Sequence, residues 1–372
     1  MVEQILYLLD ERRMTMKKII FLMPAVAHKP TGGFKVIYEY ANRLSRAGYD
    51  VTCCYSVTPP KPYVNNAGIF TVLAKHIAKL LLNYYTCRCW FALDKSVHEL
   101  HVWNLEQKNV PYADIYIATA VRTSYFLDRY KIDEKIQKKL YLIQGYENWD
   151  CPDEFVDLSY KLDLKKIVIS DWLLEKVREQ GENAILCYNG FDFNYFKMTN
   201  PIENRSSYII AMLYHENEYK RCCDAFAALE IVKKKIPQIR VNIFGQYKKP
   251  NLPDWFTYYQ RPNREIHNAL LNETAIFIYA SRTEGFCLPP AESMICGCAV
   301  CGTDIPGIPY IKNGVTMLVS PPENPEALAQ NIIHLIEDNE LRLRIAKNGH
   351  NFIFQHYKWE DSLEKIIEEI ER

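Results

Sequence analysis

The chain has 372 residues, of which 48% are hydrophobic and 24% charged, and its 45 Lys and Arg residues balance 45 Asp and Glu residues. This composition is typical of a globular protein and excludes the disordered, collagen-like and coiled-coil classes. Nucleic-acid-binding proteins usually carry a basic excess, so no nucleic-acid partner is expected. At about 150 residues per domain, the length predicts two domains, or three.

The first half of the chain alternates strand and helix patterns. The apolar run Lys18–Met23 predicts a buried parallel strand. A loop and the pair Gly32-Gly33 follow, and apolar residues spaced by three and four then predict a helix over residues 34–46, which Gly48 ends. Later strands are predicted at 51–56, 115–118, 140–143, 166–170 and 184–187, and helices at 123–130 and 171–180.

A second alternating series follows residues 189–201, a stretch that Asn189-Gly190 and Pro201 mark as a boundary. Its strands are predicted at 207–213, 240–244, 275–280, 299–302 and 317–319, and its helices at 221–236, 290–296, 324–338 and from 341 to the end. Two such series predict an α/β protein with two Rossmann-like, doubly wound domains that face a cleft. The predicted domains are residues 1–190 and residues 191–356.

The cysteines and the lengths of the apolar runs predict the cellular compartment of the protein. The 12 cysteines form no spaced framework and are expected to be reduced thiols. Cys87-x-Cys89 and Cys296-x-Cys298 are closer than ordinary zinc ligands, so no metal is expected there. Residues 1–16 are a poor signal peptide and are interpreted as a short leader. With no apolar run of about 20 residues, we expect a cytoplasmic protein.

Residues 67–93 differ from the rest because Leu, Ile, Tyr and Trp alternate with basic side chains. A basic amphipathic segment can lie on an anionic membrane surface. An ordinary helix that covers the sheet explains the same pattern and is the preferred interpretation. The first alternative would place the protein at the inner face of the cytoplasmic membrane as a peripheral protein.

The most informative stretch is residues 281–320. A strand ends before it, a loop carries Glu284 and Gly285, and Pro289-Pro290 predict a helix start with Glu292 in its first turn. The free N–H groups of a helix start favour an anion, and Gly285 allows the backbone to approach a ligand. Carboxylates are suited to binding vicinal hydroxyls. A phosphate on the amides and hydroxyls on the carboxylates together indicate a sugar nucleotide.

This stretch resembles the C-terminal signature of retaining glycosyltransferases with the GT-B fold, specifically glycosyltransferase family 4. The family pattern is a Glu followed by Gly-Phe, with a second Glu after seven intervening residues. The matching residues are Glu284, Gly285, Phe286 and Glu292. The resemblance implies that Glu284 contacts the donor sugar and Glu292 the nucleotide ribose, and that amides around Phe286, Cys287 and Leu288 hold the diphosphate. The family often has glycine where Cys287 stands.

The resemblance extends to the start of the second series. Lys220 matches a family lysine that neutralises the leaving diphosphate. His215 stands where the family usually has arginine, and Arg221 replaces a glycine and is a candidate to supply the missing charge. We therefore expect Glu284, Lys220 and Arg221 to be catalytic and His215 to bind the donor.

The N-terminal half also resembles the family. Gly32-Gly33 correspond to a glycine loop that approaches the diphosphate and the acceptor, and residues 188–192 correspond to the interdomain hinge. Residues 118–120 lack the histidine that many members carry, and residues 144–147 are candidates for the acceptor side. The resemblance further implies that the C-terminal helix, residues 357–372, packs back on the first domain.

The chemistry expected from these residues needs no metal and no cofactor. The chain has no Asp-x-Asp motif, which metal-dependent transferases commonly use to hold a divalent ion. Lys220, nearby arginines and the helix start must then meet the charge of the leaving group. The resemblance implies a retaining, same-face displacement in which the leaving phosphate oxygen helps to deprotonate the acceptor.

The resulting hypothesis is a hexosyl- or deoxyhexosyltransferase that moves a sugar from a nucleoside diphosphate sugar to a glycan or lipid-linked acceptor. Synthesis of polysaccharide, capsule or lipopolysaccharide is the expected setting. Two alternatives stay open: a sugar-nucleotide 2-epimerase of the same fold, and a non-catalytic subunit that binds sugar nucleotides. The nucleotide base, the sugar and the acceptor are not predicted.

Overall fold

The computed structural model describes residues 16–58, 86–149 and 151–372. Its chain forms two compact units. The first unit runs to Val168 and includes Leu174–Leu186 and Leu363–Arg372; the second comprises Ile169–Leu173 and Cys187–Ser362. The long segment of the second unit thus begins at Cys187, four residues before residue 191, where the second domain was predicted to begin.

The first unit is built on a seven-stranded parallel sheet. Its strands are β1 (Lys18–Met23), β2 (Asp50–Ser56), β3 (His98–Val102), β4 (Ile115–Ala118), β5 (Lys138–Ile143), β6 (Lys165–Val168) and β7 (Ala184–Leu186). The helices of this half are Gly32–Arg46, Val121–Asp128, Asp153–Ser159 and Asp171–Glu179. The strand order is β3-β2-β1-β4-β5-β6-β7, so the order reverses between β1 and β4.

The second unit is built on a six-stranded parallel sheet in the order β10-β9-β8-β11-β12-β13. Its strands are β8 (Ile209–Tyr214), β9 (Arg240–Gly245), β10 (Phe256–Gln260), β11 (Ile276–Ile278), β12 (Ala299–Thr303) and β13 (Leu318–Ser320). The helices that follow are Cys222–Lys235, Arg264–Glu273, Leu288–Ile295, Pro325–Glu337, Asn339–His356 and Trp359–Glu371. The order reverses between β8 and β11, and ligands of such sheets bind at the carboxyl ends of the strands beside that point.

These two sheets confirm the predicted α/β class with two Rossmann-like domains. Apolar side chains from the strands of the second sheet and the helices against them, such as Ile243, Ile276 and Leu229, form one buried core. Four elements were not predicted, namely β3, β10 and the helices Asp153–Ser159 and Arg264–Glu273. The helical pattern after residue 341 is two helices, because the first ends at His356 and the second begins at Trp359.

The end of the last helix lies in the first unit. The Glu371 carboxylate accepts hydrogen bonds from Lys17 Nζ at 2.6 Å and from Tyr49 Oη at 2.7 Å. Lys138 Nζ donates to the main-chain oxygen of Glu369 at 2.8 Å. Ile366 and Ile370 are buried. Both polar and apolar contacts therefore hold this helix end.

Two predicted segments fall mainly outside the described residues: the leader, residues 1–16, and residues 67–93. The described part of the second segment, residues 86–93, forms turns within the first unit. There Arg88 Nε pairs with Glu99 at 2.9 Å, and Trp90 Nε1 donates to the Ala27 oxygen at 2.7 Å. Both interpretations of this segment stay predictions. Across the three described ranges, no helix has the length and apolarity needed to cross a membrane.

Candidate functional site

A cavity opens at the strand-order reversal of the second sheet. Strands β8 and β11 pair there in parallel, so the loops after Tyr214 and after Ile278 leave the same edge of the sheet side by side. Its volume is about 370 Å³, including space open to solvent. Seven of its lining residues carry polar side-chain groups: His215, Lys220, Cys222, Tyr279, Ser281, Glu284 and Cys287. The cavity therefore lies where the topology predicts a ligand.

Lys220 and Glu284 form an ion pair in this cavity. Lys220 lies on the short 3₁₀ turn Glu218–Lys220 after β8, and its Nζ is 2.6 Å from Glu284 Oε1. The two side chains are only 16% and 8% exposed. Burial disfavours the charged ammonium, but the attraction of Glu284 acts with that of Cys287 and Tyr219 and with the hydrogen bond to Glu284, and together they raise the pKa of Lys220. Lys220 therefore keeps its positive charge at the carboxyl edge of the sheet.

Ser281 is a second partner of Glu284, and sequence reasoning missed it. Its Oγ donates to the same Glu284 Oε1 at 2.7 Å. The main-chain oxygen of Ser281 accepts a hydrogen bond of 2.6 Å from Thr303 Oγ1, which fixes the loop to the end of β12. Its place three residues before Glu284, at a strand end, is the only sequence signal that pointed to it.

The helix Leu288–Ile295 differs from the predicted helix in two ways. Glu292 is its fifth residue, so the prediction that it lies in the first turn is wrong. Pro289 and Pro290 carry no N–H, so this helix start offers fewer donors than an ordinary one. In the described part of the chain, the N–H groups of Phe286, Cys287 and Leu288 donate no hydrogen bond. These three amides are therefore the N–H groups at this helix start that have no acceptor among the described residues.

Cys287 shapes the backbone at this point. It precedes the helix with φ of 59°, a left-handed conformation that favours glycine. Burial, and next the nearby Glu284 carboxylate, raise the pKa of the Cys287 thiol well above its usual value. Tyr310 Oη donates to the Cys287 oxygen. This thiol is therefore a neutral wall of the cavity.

His215 lies in the cavity as a neutral imidazole. Burial, followed by the positive charge of Lys220, lowers its pKa to about 4. The main-chain N–H of Asn217 donates to His215 Nδ1 at 3.0 Å, which leaves the proton on Nε2. That Nε2 is 3.3 Å from Tyr247 Oη, to which it donates. His215 therefore adds no positive charge where the family usually has arginine.

Arg221 lies outside the lining of this cavity. Its Nε and Nη2 bind the two carboxylate oxygens of Asp224 at 2.8 and 3.0 Å, and Glu323 lies 3.7 Å away. Arg221 has φ of 47° and precedes the helix Cys222–Lys235. Its charge is thus already paired with carboxylates on the outer side of the turn.

Two further residues explain the shape of the loop. Phe286 is buried against the rings of Phe191, Tyr310 and Tyr357 and anchors the loop. At Gly307, a Cβ atom would lie 2.0 Å from the main-chain oxygen of Glu284, so only glycine fits. Sequence reasoning missed Gly307 because the contact joins residues more than twenty positions apart.

The glycine pair lies in the first unit. Gly32 and Gly33 form the first turn of the helix Gly32–Arg46 rather than a loop before it. A Cβ atom on Gly33 would lie 3.6 Å from the side chain of Gln144, so the structure brings these two predicted segments together. The Gln144 Oε1 atom is buried and accepts no hydrogen bond among the described residues.

The described residues contain no group of three or more His, Cys, Asp or Glu side chains that could hold a metal ion. All 12 cysteines are free thiols.

The sequence of the second unit matches a known family. Residues 197–352 match the family described as "Glycosyl transferases group 1". An uncharacterized glycosyltransferase of Methanocaldococcus jannaschii is 29% identical over 106 residues, which are 27% of this chain and 30% of that protein. The N,N'-diacetylbacillosaminyl-diphospho-undecaprenol alpha-1,3-N-acetylgalactosaminyltransferase of Campylobacter jejuni is 36% identical over 81 residues, 22% of each chain. The chain thus spans less than a third of the length of these relatives.

The fold matches solved structures over nearly its whole length. The crystal structure of Anabaena Alr3699/HepE in complex with UDP-glucose has a TM-score of 0.70, covers 95% of this chain and 99% of its own, and is 16% identical. At this identity the likeness shows the fold, which is GT-B.

Proposed function

We propose that this chain moves a sugar from a nucleoside diphosphate sugar to a glycan or lipid-linked acceptor, because its residues 197–352 match the family described as "Glycosyl transferases group 1". The anomeric configuration of the sugar is retained. The chain works in the synthesis of a polysaccharide, capsule or lipopolysaccharide.

The observation that carries this proposal is the Lys220–Glu284 pair at the carboxyl edge of β8 and β11. A cation, together with three loop amides that donate no hydrogen bond within the described ranges, suits a diphosphate. A buried carboxylate suits sugar hydroxyls. Lys220 and the amides of Phe286, Cys287 and Leu288 hold the diphosphate, and Glu284 faces the donor sugar. Glu292, which is buried at 7% exposure, binds the ribose.

In the reaction, the bond between the anomeric carbon and the phosphate oxygen breaks while the acceptor oxygen attacks the same face. The acceptor proton passes to the departing phosphate oxygen, so the products are the glycoside and the nucleoside diphosphate. Negative charge grows on the phosphate as the bond breaks. Lys220 stabilises that charge more strongly in the transition state than in the ground state, which is the condition for catalysis.

We further propose that the reaction needs no divalent metal, because Lys220 and the loop amides meet the diphosphate charge. The proposal predicts full turnover in excess chelator. Loss of turnover that Mg²⁺ or Mn²⁺ restores would contradict it.

The similar proteins suggest which substrates to try first. The HepE crystal structure contains UDP-glucose, and the name of the Campylobacter relative gives it a diphospho-undecaprenol acceptor. We therefore propose a UDP-sugar as donor and a lipid-linked saccharide as acceptor.

The test is a panel of UDP-, GDP- and dTDP-sugars, first screened by thermal shift, because a ligand that binds the folded state raises the Tm. Donors that bind are then incubated with and without lipid-linked saccharides, and the products are analysed for the glycoside and its anomeric configuration. Transfer with retention supports the proposal. Isomerisation of the sugar nucleotide without an acceptor would overturn it in favour of an epimerase.

A further inference from the structure

Glu284 Oε1 accepts two hydrogen bonds, and the two donors differ in what a ligand does to them. Lys220 Nζ approaches at 2.6 Å and Ser281 Oγ at 2.7 Å. A diphosphate brings a stronger negative charge to Lys220 than one carboxylate does. A bound donor would therefore draw the ammonium toward its phosphate oxygens and weaken the hydrogen bond from Lys220 to Glu284.

Ser281 keeps its place in that event, because the surrounding sheet fixes it. The residue is 3% exposed, and its main-chain oxygen accepts from Thr303 Oγ1 at 2.6 Å. Thr303 is itself buried on β12, and its own oxygen accepts from Tyr279 Oη at 2.7 Å. The Tyr279 ring in turn lies against Gly302, where a Cβ atom would be 2.2 Å from it. This chain of contacts leads from the buried end of the sheet to the Glu284 carboxylate.

We propose that Ser281 is a positioning residue that holds the Glu284 carboxylate toward the donor sugar after the diphosphate has taken Lys220. The inference rests on the proposed function and deepens it. Positive charge develops on the sugar as the bond to the phosphate breaks, so a carboxylate held in place stabilises the transition state. Ser281 does not touch the substrate and acts through Glu284.

The experiment compares Ser281→Ala, Ser281→Thr and a matched control. Thr keeps the hydroxyl at this position in the lining of the cavity. The control is Ser320→Ala, since Ser320 is also 3% exposed and its Oγ donates to a main-chain oxygen, that of Gly302, and not to a carboxylate. Steady-state kinetics with the active UDP-sugar, the affinity for free UDP and the Tm are measured for each protein.

Ser281→Ala removes a hydrogen bond to a charged group, so we expect its kcat to fall on the order of tenfold. The affinity for UDP stays at the wild-type value, because UDP lacks the donor sugar that Glu284 is proposed to bind. Ser281→Thr restores most of the kcat, and Ser320→Ala leaves it unchanged. A merely structural role would lower the Tm and the UDP affinity together, and the proposal would then be overturned.

Failure of this inference differs from failure of the proposed function. If the wild-type protein transfers sugar and Ser281→Ala keeps its full kcat, Ser281 does not position Glu284. If the wild-type protein shows no transfer and binds no UDP-sugar, the proposed function fails and the role of Ser281 fails with it. If it binds a UDP-sugar without transfer, the ratio of its affinities for UDP-sugar and UDP takes the place of kcat, and an unchanged ratio in Ser281→Ala overturns the inference.

Discussion

Lys220 and Arg221 are adjacent in sequence, yet they lie on opposite sides of one turn. Lys220 is buried in the cavity against Glu284. Arg221 is on the outer side, where it binds Asp224 in a bidentate pair and approaches Glu323. The positive φ of Arg221 turns the backbone between the two side chains. A pair of basic residues in a sequence therefore need not share a role, because only Lys220 of the two lines the cavity.

The largest expected effect is that of Lys220→Ala. Removing a preorganised charge that meets developing charge lowers kcat by about 100-fold or more. The substitution also leaves Glu284 buried without its cation, which lowers the Tm. Kinetics and thermal unfolding of the variant check both effects. A kcat within threefold of wild type would place the compensating charge elsewhere, and Arg221 would be the next candidate.

The next effect is that of Glu292→Ala. The ribose hydroxyls are present in substrate and transition state alike. Loss of the hydrogen bonds from these hydroxyls to Glu292 therefore raises KM and leaves kcat nearly unchanged. A hydrogen bond to a charged group is worth about 1.5–3 kcal/mol, so the affinity for the nucleoside diphosphate falls on the order of tenfold to a hundredfold. Titration calorimetry with UDP checks this, and an unchanged affinity would remove the ribose assignment.

Glu284→Gln tests the acidic partner of the Lys220–Glu284 ion pair. An amide cannot neutralise Lys220, and a charge-assisted hydrogen bond is roughly twice as strong as a neutral one. The variant therefore frees Lys220 for phosphate, and the affinity for free UDP rises about threefold to tenfold while sugar transfer falls. The same titration measures it. Weaker UDP binding would mean that the ion pair does not compete with the diphosphate.

The smallest expected effect is that of Arg221→Ala, which is the matched control for Lys220→Ala. The ion pairs of Arg221 lie partly in solvent, and such pairs contribute little to stability. We expect kcat and UDP affinity within about threefold of wild type. A loss comparable to that of Lys220→Ala would make the outer side of the turn part of the site.

The sheets were predicted well wherever strands are buried on both faces. Lys18–Met23 is an almost continuous apolar run, and such a run is typical of a central parallel strand. His98–Val102 was missed because this edge strand is mostly polar. The helix Arg264–Glu273 was also missed, although Asn263 caps it by accepting from the Ile266 N–H at 2.9 Å. Edge and surface elements take their form from neighbours that a local pattern does not contain.

The candidate site also contains residues that the sequence predicts and residues that it does not. Glu284, Gly285 and Glu292 could be predicted as candidates because they lie in one short motif after a strand. Ser281 was missed because serine is common in turns, and the course of the loop decides which carboxylate its hydroxyl reaches. The lack of positive charge on His215 was equally hidden, since it follows from burial beside Lys220. The spacing of residues in the sequence predicts candidate site residues, whereas their hydrogen-bond partners and protonation states follow from packing in the fold.

The ion pair of the cavity also affects how fast a donor arrives. The charges of Lys220 and Glu284 cancel over 2.6 Å, so from several ångströms away the pair is a dipole with no net charge. At physiological ionic strength, screening already limits attraction beyond about 8 Å. A doubly charged nucleotide is thus not drawn in from a distance by this pair, and its association rate should depend only weakly on salt. The positive charge becomes available only to a ligand that has already entered.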